Sequence, residues 1–352
     1  MKKTIAMVMM ALFVMSRIYA ATLEDVYLND YYFTDVAYNG EYYVAVGAYG
    51  LIGRSSDLQH WDLQTMAIQS NSRNLKILWN GTEFLIYSGP EEDSFTRLYG
   101  IFYSSPDGVT WTQFQHPGCR LIAYINDTYF ITIKNTGTGT TISSTGISML
   151  ATVTNLKDLS NYTEIKITVP SKDLGTPYGL EEQPAMDHLV YLNGTYIAYQ
   201  SNYLVFSNDL VQWEGTYFED EITEIAYLGN YLVYTGNSNH LTIYSSNDLK
   251  NWETIKGEAL YANGSASVPY FISGKMKIVG RNQTTTIYSS SDGVTFQPER
   301  EILSESSRVT NFKSIDGIEV ILNVEGLIVL YPDGTNSMIN ITPTTLQLGD
   351  AW

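Results

Sequence analysis

A seven-residue phrase recurs along this chain, reading Ser-x-Asp-(Gly/Leu)-x-x-aromatic. Its copies are Ser55, Asp57 and Trp61; Ser105, Asp107, Gly108 and Trp111; Ser207, Asp209 and Trp213; Ser246, Asp248 and Trp252; and Ser290, Asp292, Gly293 and Phe296. Two further copies keep the aspartate: Asp158, with Tyr162 four residues on, and Asp333, followed by Gly334. The seven aspartates are separated by 50, 51, 51, 39, 44 and 41 residues. A period in this range marks a stacked or radial repeat, in which each unit is one supersecondary element that buries its faces against its neighbours.

Residues 33 to 66 show what one unit contains. Phe33 to Tyr38 reads as a short strand, and Asn39-Gly40 is a hairpin signal, because a type I′ turn needs positive φ at both central residues. Tyr42 to Gly47 follows as a second strand, Tyr49-Gly50 turns the chain, Leu51 to Ser55 is a third strand, and Trp61 to Thr65 a fourth. The order recurs around Asn80-Gly81, Asn193-Gly194, Gly229-Asn230, Ser273-Gly274 and Asp316-Gly317, with the unit around Asn126-Asp127 the least regular. Seven four-stranded antiparallel units predict an all-β chain folded as a seven-bladed β-propeller, whose radial closure leaves short, protected sheet edges. Two segments compete to supply the last blade's outer strand: Asp25 to Leu28 and Ser337 to Ile341.

The phrase itself has a local physical reading. An aspartate can accept hydrogen bonds from backbone N–H groups of its own turn, and serine does the same more weakly. Gly108 and Gly293 suit backbone conformations that cost other residues more, whereas Asp57, Asp209 and Asp248 are followed by leucine. The aromatic residue four positions on is expected to pack between strands, where burying a ring contributes roughly 2–3 kcal/mol.

The phrases Ser104-Ser105-Pro106-Asp107-Gly108-Val109-Thr110-Trp111 and Ser289-Ser290-Ser291-Asp292-Gly293-Val294-Thr295-Phe296 resemble the Asp-box (BNR) repeats of sialidase-like β-propellers, among which this chain looks like a divergent exported bacterial member. The likeness runs over nearly the whole chain at the level of repeats. The family's common box has five residues from Asp to Trp, and here the step is four. The resemblance implies that the phrases lie between the third and fourth strands of each blade, on the rim away from the usual active site. It also implies what an enzyme of this kind needs: three arginines for a substrate carboxylate, a tyrosine nucleophile assisted by glutamate, an aspartate acid/base, and an Arg-Ile-Pro type motif early in the first blade. That motif is absent here, and the arginines beyond residue 20 are Arg54, Arg73, Arg97, Arg120, Arg281, Arg300 and Arg308, with Arg54 and Arg281 placed where they face a central funnel.

Composition narrows the partners. Lys2 and Lys3, the apolar run Ile5 to Val14 and the small residue Ala20 make residues 1–20 a secretory signal peptide, leaving residues 21–352 as a single propeller domain. No later run reaches the roughly 18 apolar residues of a membrane span. Removing the leader takes the basic count from 20 to 17 against 37 acidic residues, so the net charge moves from -17 to -20. Such a surface repels nucleic acid. The single Cys119 excludes an intrachain disulfide and reads as core packing. The four histidines stand apart without ligand spacing, so neither metal nor other cofactor is expected, although an acidic funnel would accept calcium.

If the Asp phrases mark one rim, ligands belong on the other, where Tyr49, Tyr178, Glu181, Glu182, Tyr203, Tyr217 and Tyr261 offer rings and carboxylates for a glycan or protein. The sequence thus points to an exported monomer (periplasmic, secreted or at the cell surface) acting as a binding or scaffold module with no catalytic residue identified. The alternatives are a sialidase-like or other glycan-processing hydrolase and a cell-envelope assembly factor.

Overall fold

The computed structural model describes residues 31–66, 74–88, 100–134, 148–167, 186–237, 240–255, 265–266, 269–281, 285–302 and 308–340. Seven antiparallel sheets stand in a ring, each made of strands consecutive in sequence, giving a seven-bladed β-propeller. Blade 1 is Phe33–Tyr38, Tyr43–Gly47, Leu51–Ser55 and Asp62–Thr65. Blades 2 to 7 cover residues 75–115, 119–165, 188–217, 222–255, 265–302 and 309–340. First strands of neighbouring blades touch one another, which places them innermost around the axis. The third blade is the irregular one, carrying a 3-10 turn at Leu159–Asn161 capped by Asp158, which accepts from the Ser160 N–H. Blade 6 has its inner strand in two pieces, Ser265–Ala266 and Tyr270–Ile272, both paired with Lys275–Arg281.

Middle strands are buried on both faces, so their hydrophobic runs are continuous. Val44, Ala45 and Val46 are fully buried in succession, as are Leu327 to Leu330. The outer strands, such as Asp62–Thr65 and Thr112–Gln115, are largely polar and exposed. Seven apolar clusters fill the seven interfaces between blades, each drawing side chains from two neighbours. Cys119 packs in the cluster between blades 2 and 3, and burial pushes its thiol up to about 12.

The last blade takes its outer strand from the C-terminal side: Asn336–Asn340 pairs with Gly326–Leu330. Among the described residues the ring closes by packing of blade 7 on blade 1, with no strand shared. Thr310 Oγ1 donates to Phe33 O at 2.7 Å and Asn311 Nδ2 to Thr34 O at 3.1 Å. Lys313 Nζ lies 2.6 Å from Asp35 Oδ1. Asp35, with its side chain 4% exposed, also accepts from Val36 N–H, from Asn311 Nδ2 and, through Oδ2, from Ile77 N–H of blade 2. One carboxylate thus ties three blades.

The Ser-x-Asp turns share one geometry. Serine Oγ donates to Asp Oδ1 in all five complete copies, at 2.6 to 3.1 Å. The same oxygen accepts the N–H groups two and three residues on, as with Val109 and Thr110, or Lys250 and Asn251. The residue after Asp takes positive φ whether it is glycine or leucine: Leu58 63°, Gly108 75°, Leu210 63°, Leu249 64° and Gly293 74°. Left-handed backbone costs leucine about 1–2 kcal/mol. Burial of the side chain against the preceding blade offsets this by roughly 1.5–3 kcal/mol. Leu58 is fully buried among Val320, Leu322 and Leu327 of blade 7. Where glycine stands, the preceding blade fills the space instead: a Cβ on Gly108 would meet Val44 Cγ2 at 2.5 Å, and one on Gly293 would meet Leu232 Cδ1 at 2.1 Å.

The aromatic residue seals the turn just before the outer strand. Trp61, Trp213 and Trp252 donate Nε1–H to the carbonyls of Leu58, Leu210 and Leu249. Phe296 has no N–H, and there the Gly293 carbonyl accepts from Tyr234 of blade 5 at 2.8 Å.

Two outcomes follow from this packing. Leu58→Gly relieves the backbone yet lowers stability by about 1–3 kcal/mol, and Gly108→Leu also destabilises because Val44 holds the site; chemical denaturation measures both, and a gain in either variant contradicts the interlocking account. Lys313→Met strands the Asp35 charge and costs about 1–3 kcal/mol. Adding Asp35→Asn to it recovers part of that loss in a double-mutant cycle, whereas additive losses would mean that the pair does not hold the closure.

Candidate functional site

The topology gives the ring two unlike rims. Hairpins between first and second strands, and the Ser-x-Asp turns, lie on one; turns between second and third strands, and blade-to-blade connections, lie on the other. The sequence-predicted tyrosines that are described, Tyr49, Tyr203 and Tyr217, are all on this second rim. Tyr178, Glu181, Glu182 and Tyr261 lie outside the described residues, as does the leader at 1–20.

Tyr49 sits at the tip of the 3-10 turn Ala48–Gly50 of blade 1 with φ 57° and ψ 27°. Left-handed backbone is uncommon for a bulky residue and concentrates where function requires a held side chain. Its ring meets Tyr31 edge-on, with centroids 5.7 Å apart. Tyr203 and Tyr217 face each other across the two outer strands of blade 4, as direct cross-strand partners. Tyr203 donates to Gln200 Oε1 at 2.8 Å, and burial followed by the Asp187 carboxylate raises its hydroxyl pKa. Tyr217 is exposed. The structure therefore brings Tyr203 and Tyr217 together and holds Tyr49 three blades away.

Near the axis on the same rim lies a set of polar groups that the repeat phrase does not reveal. Three inner strands begin with a threonine bulge followed by an acid or amide: Thr34-Asp35, Thr223-Glu224 and Thr310-Asn311. In each, the side chain after threonine accepts the N–H of the next residue at 2.9 Å. Arg120, at the start of blade 3's inner strand, joins this set by a 2.6 Å ion pair to Asp187, just before blade 4. The legible signal is the Thr-(Asp/Glu/Asn) doublet, recurring at whole multiples of the repeat.

The equivalent carboxyls Asp35 and Glu224 have different surroundings. Asp35 is met by a lysine, an amide and two backbone N–H groups. Glu224 accepts from Ile225 N–H alone among the described residues. Desolvation pushes its carboxyl up to about 7, with the backbone bond a smaller opposing effect. A carboxyl poised near neutrality in a polar mouth is the strongest electrostatic mark of a site on this rim.

The Ser-x-Asp turns of the opposite rim spend their carboxylates on structure. Hydrogen bonds from His60 and the turn amides hold Asp57 well below the usual range. Backbone amides do the same, as the leading cause, for Asp107, Asp158, Asp209 and Asp248. For Asp292 the leading cause is Ser290, and for Asp333 it is Thr335. Arg54 does not face the channel: its guanidinium carbon lies 3.3 Å from the centroid of the Tyr42 ring and its Nε donates to Asp107 O of blade 2. Arg120 and Arg300 are likewise engaged at other blade interfaces, so these three do not converge. No group of three or more metal-ligating side chains occurs among the described residues, and no described helix is long and apolar enough to cross a membrane.

No family model matches this chain. No curated protein matches it either. Solved structures do. "YCF48 bound to D1 peptide" aligns at TM-score 0.56 with 15% identity, covering 85% of this chain and 93% of that one. The WD40 β-propeller domain of Doa1 aligns at TM-score 0.50 with 9% identity, covering 90% of this chain and 95% of that one. BamB from Moraxella catarrhalis aligns at TM-score 0.48 with 10% identity, covering 84% of each. At these identities the likeness is one of fold.

The carboxyls predict a two-limbed pH dependence. Glu224 has a raised folded-state pKa, so the folded chain holds this proton more tightly than the unfolded one. Stability from this group is full below the ordinary glutamate value of about 4.3 and falls as pH rises toward neutrality. The turn aspartates have depressed values, so their stability is present above about pH 4 and lost below it. Melting temperatures across pH 3 to 8 should therefore fall at both ends. Glu224→Gln should flatten the upper limb, by a difference on the order of 2 kcal/mol between the two ends of that limb, and leave the acid limb in place. An unchanged upper limb in the variant would remove Glu224 from the account.

Proposed function

We propose that this chain is an exported binding and scaffold module that holds a segment of another protein on the loop rim. The observation carrying the proposal is Tyr49, a bulky side chain kept in left-handed backbone at a loop tip, where a glycine would stand without strain. Around it the ring is rigid, since its strands are buried and its interfaces filled, so the rim tyrosines are presented with little ordering left to complete on binding. Tyr203 and Tyr217 add a paired aromatic surface on blade 4, and the part-protonated Glu224 adds a group able to donate or accept. Support for a peptide ligand comes from YCF48, a propeller of similar fold whose solved structure holds the D1 peptide. Tyr178, Glu181, Glu182 and Tyr261 belong to the same rim in this reading. Residues 1–20 act as a cleaved leader that delivers the chain across a membrane.

Peptide and glycan arrays probed with the exported protein, beside a panel of fluorogenic glycosides, test this directly. A peptide ligand without glycoside turnover is expected. Tyr49→Ala and Tyr217→Ala should each weaken it about three- to tenfold, each ring contributing about 0.5–1.5 kcal/mol. Glycoside turnover would replace the proposal with a hydrolase, and a glycan hit without a peptide hit would replace its ligand class. N-terminal sequencing of the exported protein should begin at residue 21.

A further inference from the structure

The hairpin rim carries a second pattern. In five blades a cross-strand pair next to the inner hairpin is aromatic on both strands: it is the last pair in Tyr38 with Tyr43, Trp79 with Phe84 and Tyr227 with Tyr231, and the last but one in Tyr124 with Tyr129 and Tyr191 with Tyr196. Ring centroids within each pair are 4.2 to 4.9 Å apart. Four of the second-strand rings, Tyr43, Phe84, Tyr129 and Tyr231, are buried. The inner-strand rings are not: Tyr38, Trp79, Tyr124 and Tyr227 are half-buried, and Tyr191 is 42% exposed. Tyr38, Trp79, Tyr124 and Tyr227 lean on the clusters between blades, and because inner strands surround the axis, the five rings form an arc over five of the seven blades on this rim.

Cross-strand aromatic pairs stabilise hairpins by themselves. That role requires the buried partner and the contact, but not that the innermost ring stay partly open in five blades. Nor does it account for the charge at the hairpin tips next to these rings. The tips carry Glu41, Glu83, Asp127 and Asp316, against Lys275 alone. Glu83 is paired with Lys157 and Asp127 accepts from Tyr124, which leaves Glu41 and Asp316 exposed with their carboxylates turned to solvent. Partly exposed rings bordered by carboxylates suit a guanidinium or ammonium group, which is drawn by both. The rim already contains such a contact within the chain, in the Arg54 guanidinium set 3.3 Å from the Tyr42 ring centroid.

We infer that the aromatic arc formed by Tyr38, Trp79, Tyr124, Tyr191 and Tyr227 is a docking surface for an extended basic segment of a partner protein, one presenting two or more arginine or lysine side chains. The surface lies on the rim opposite Tyr49, and it does not rest on the loop-rim proposal. Rings supply the short-range attraction, and the tip carboxylates supply steering that weakens with salt.

The test uses the whole exported chain and a fluorescent hexa-arginine peptide, followed by anisotropy, with hexa-glutamate and a chito-oligosaccharide as comparison probes. Hexa-arginine should bind and the other two should not. Tyr191→Ala leaves the charge unchanged, and together with Tyr38→Ala it should weaken binding about tenfold. Glu41→Gln with Asp316→Asn, at exposed positions away from the core, should weaken it about threefold and reduce its salt dependence. Gln115→Ala, at the exposed end of blade 2's outer strand on the other rim, should leave it as it is. Hexa-arginine binding that ignores the ring variants would be general attraction to a strongly acidic chain, and would overturn the proposal. So would saccharide binding lost in Tyr191→Ala without any affinity for hexa-arginine, or failure of every probe to bind.

Discussion

Asp35 holds its charge in the interior, and the meeting of the first and last blades depends on how that charge is answered. A carboxylate so placed is costly unless its lone pairs and charge are met together. Here they are met from three directions: Lys313 and Asn311 from blade 7, Val36 N–H from its own strand, and Ile77 N–H from blade 2. The donors sit at fixed heights on different inner strands, so the bonds can all form in one angular arrangement of the blades. Apolar packing alone would tolerate sliding of one sheet over the next. The carboxylate removes that freedom at the seam, where among the described residues no shared strand provides register.

The same division of labour repeats around the ring. Apolar clusters supply most of the burial, while short polar links set the alignment. The Ser-x-Asp turns serve both ends. Their carboxylates satisfy backbone donors locally, and the residue after Asp reaches into the preceding blade. Leucine and glycine at that position are alternative answers to one packing problem, decided by which blade supplies the filling side chain. This explains why Leu58 and Leu249 accept left-handed backbone: the void left without them would cost more than the strain.

Much of this was legible in the sequence. The Asp spacing and the Asn-Gly pairs place the seven blades, and the four strands of blade 1 to within a residue, because turns demand particular residues at particular positions. The C-terminal closure was one of two open routes, since a strand pattern alone does not say which edge it joins. The inner-strand polar groups were not found. Thr34-Asp35 and Thr223-Glu224 look like ordinary strand residues until their bulges and neighbours across the blade interface are known. Arg54 was misplaced for the same reason, because its partners, Tyr42 and Asp107, come from a turn and from another blade. The repeat count already separates Tyr49, in the first unit, from Tyr203 and Tyr217, in the fourth, but does not show that the last two are direct cross-strand partners.

The two mouths of the channel end up chemically opposite, and the strand geometry explains why. Inner strands begin on the loop rim, where the chain arrives from the previous blade and a bulge admits a threonine and a polar neighbour. They end on the hairpin rim, where a tight turn brings neighbouring cross-strand residues into close contact and favours two rings. Three blades carry the polar start and five the aromatic end, so repetition of the unit makes one mouth polar and the other aromatic. An exposed carboxylate at a hairpin tip or a missing counter-charge beside Glu224 then differentiates individual blades without altering the frame. A ring of this kind can accumulate two independent surfaces, because changing one end of an inner strand leaves the hydrogen bonds at the other end intact.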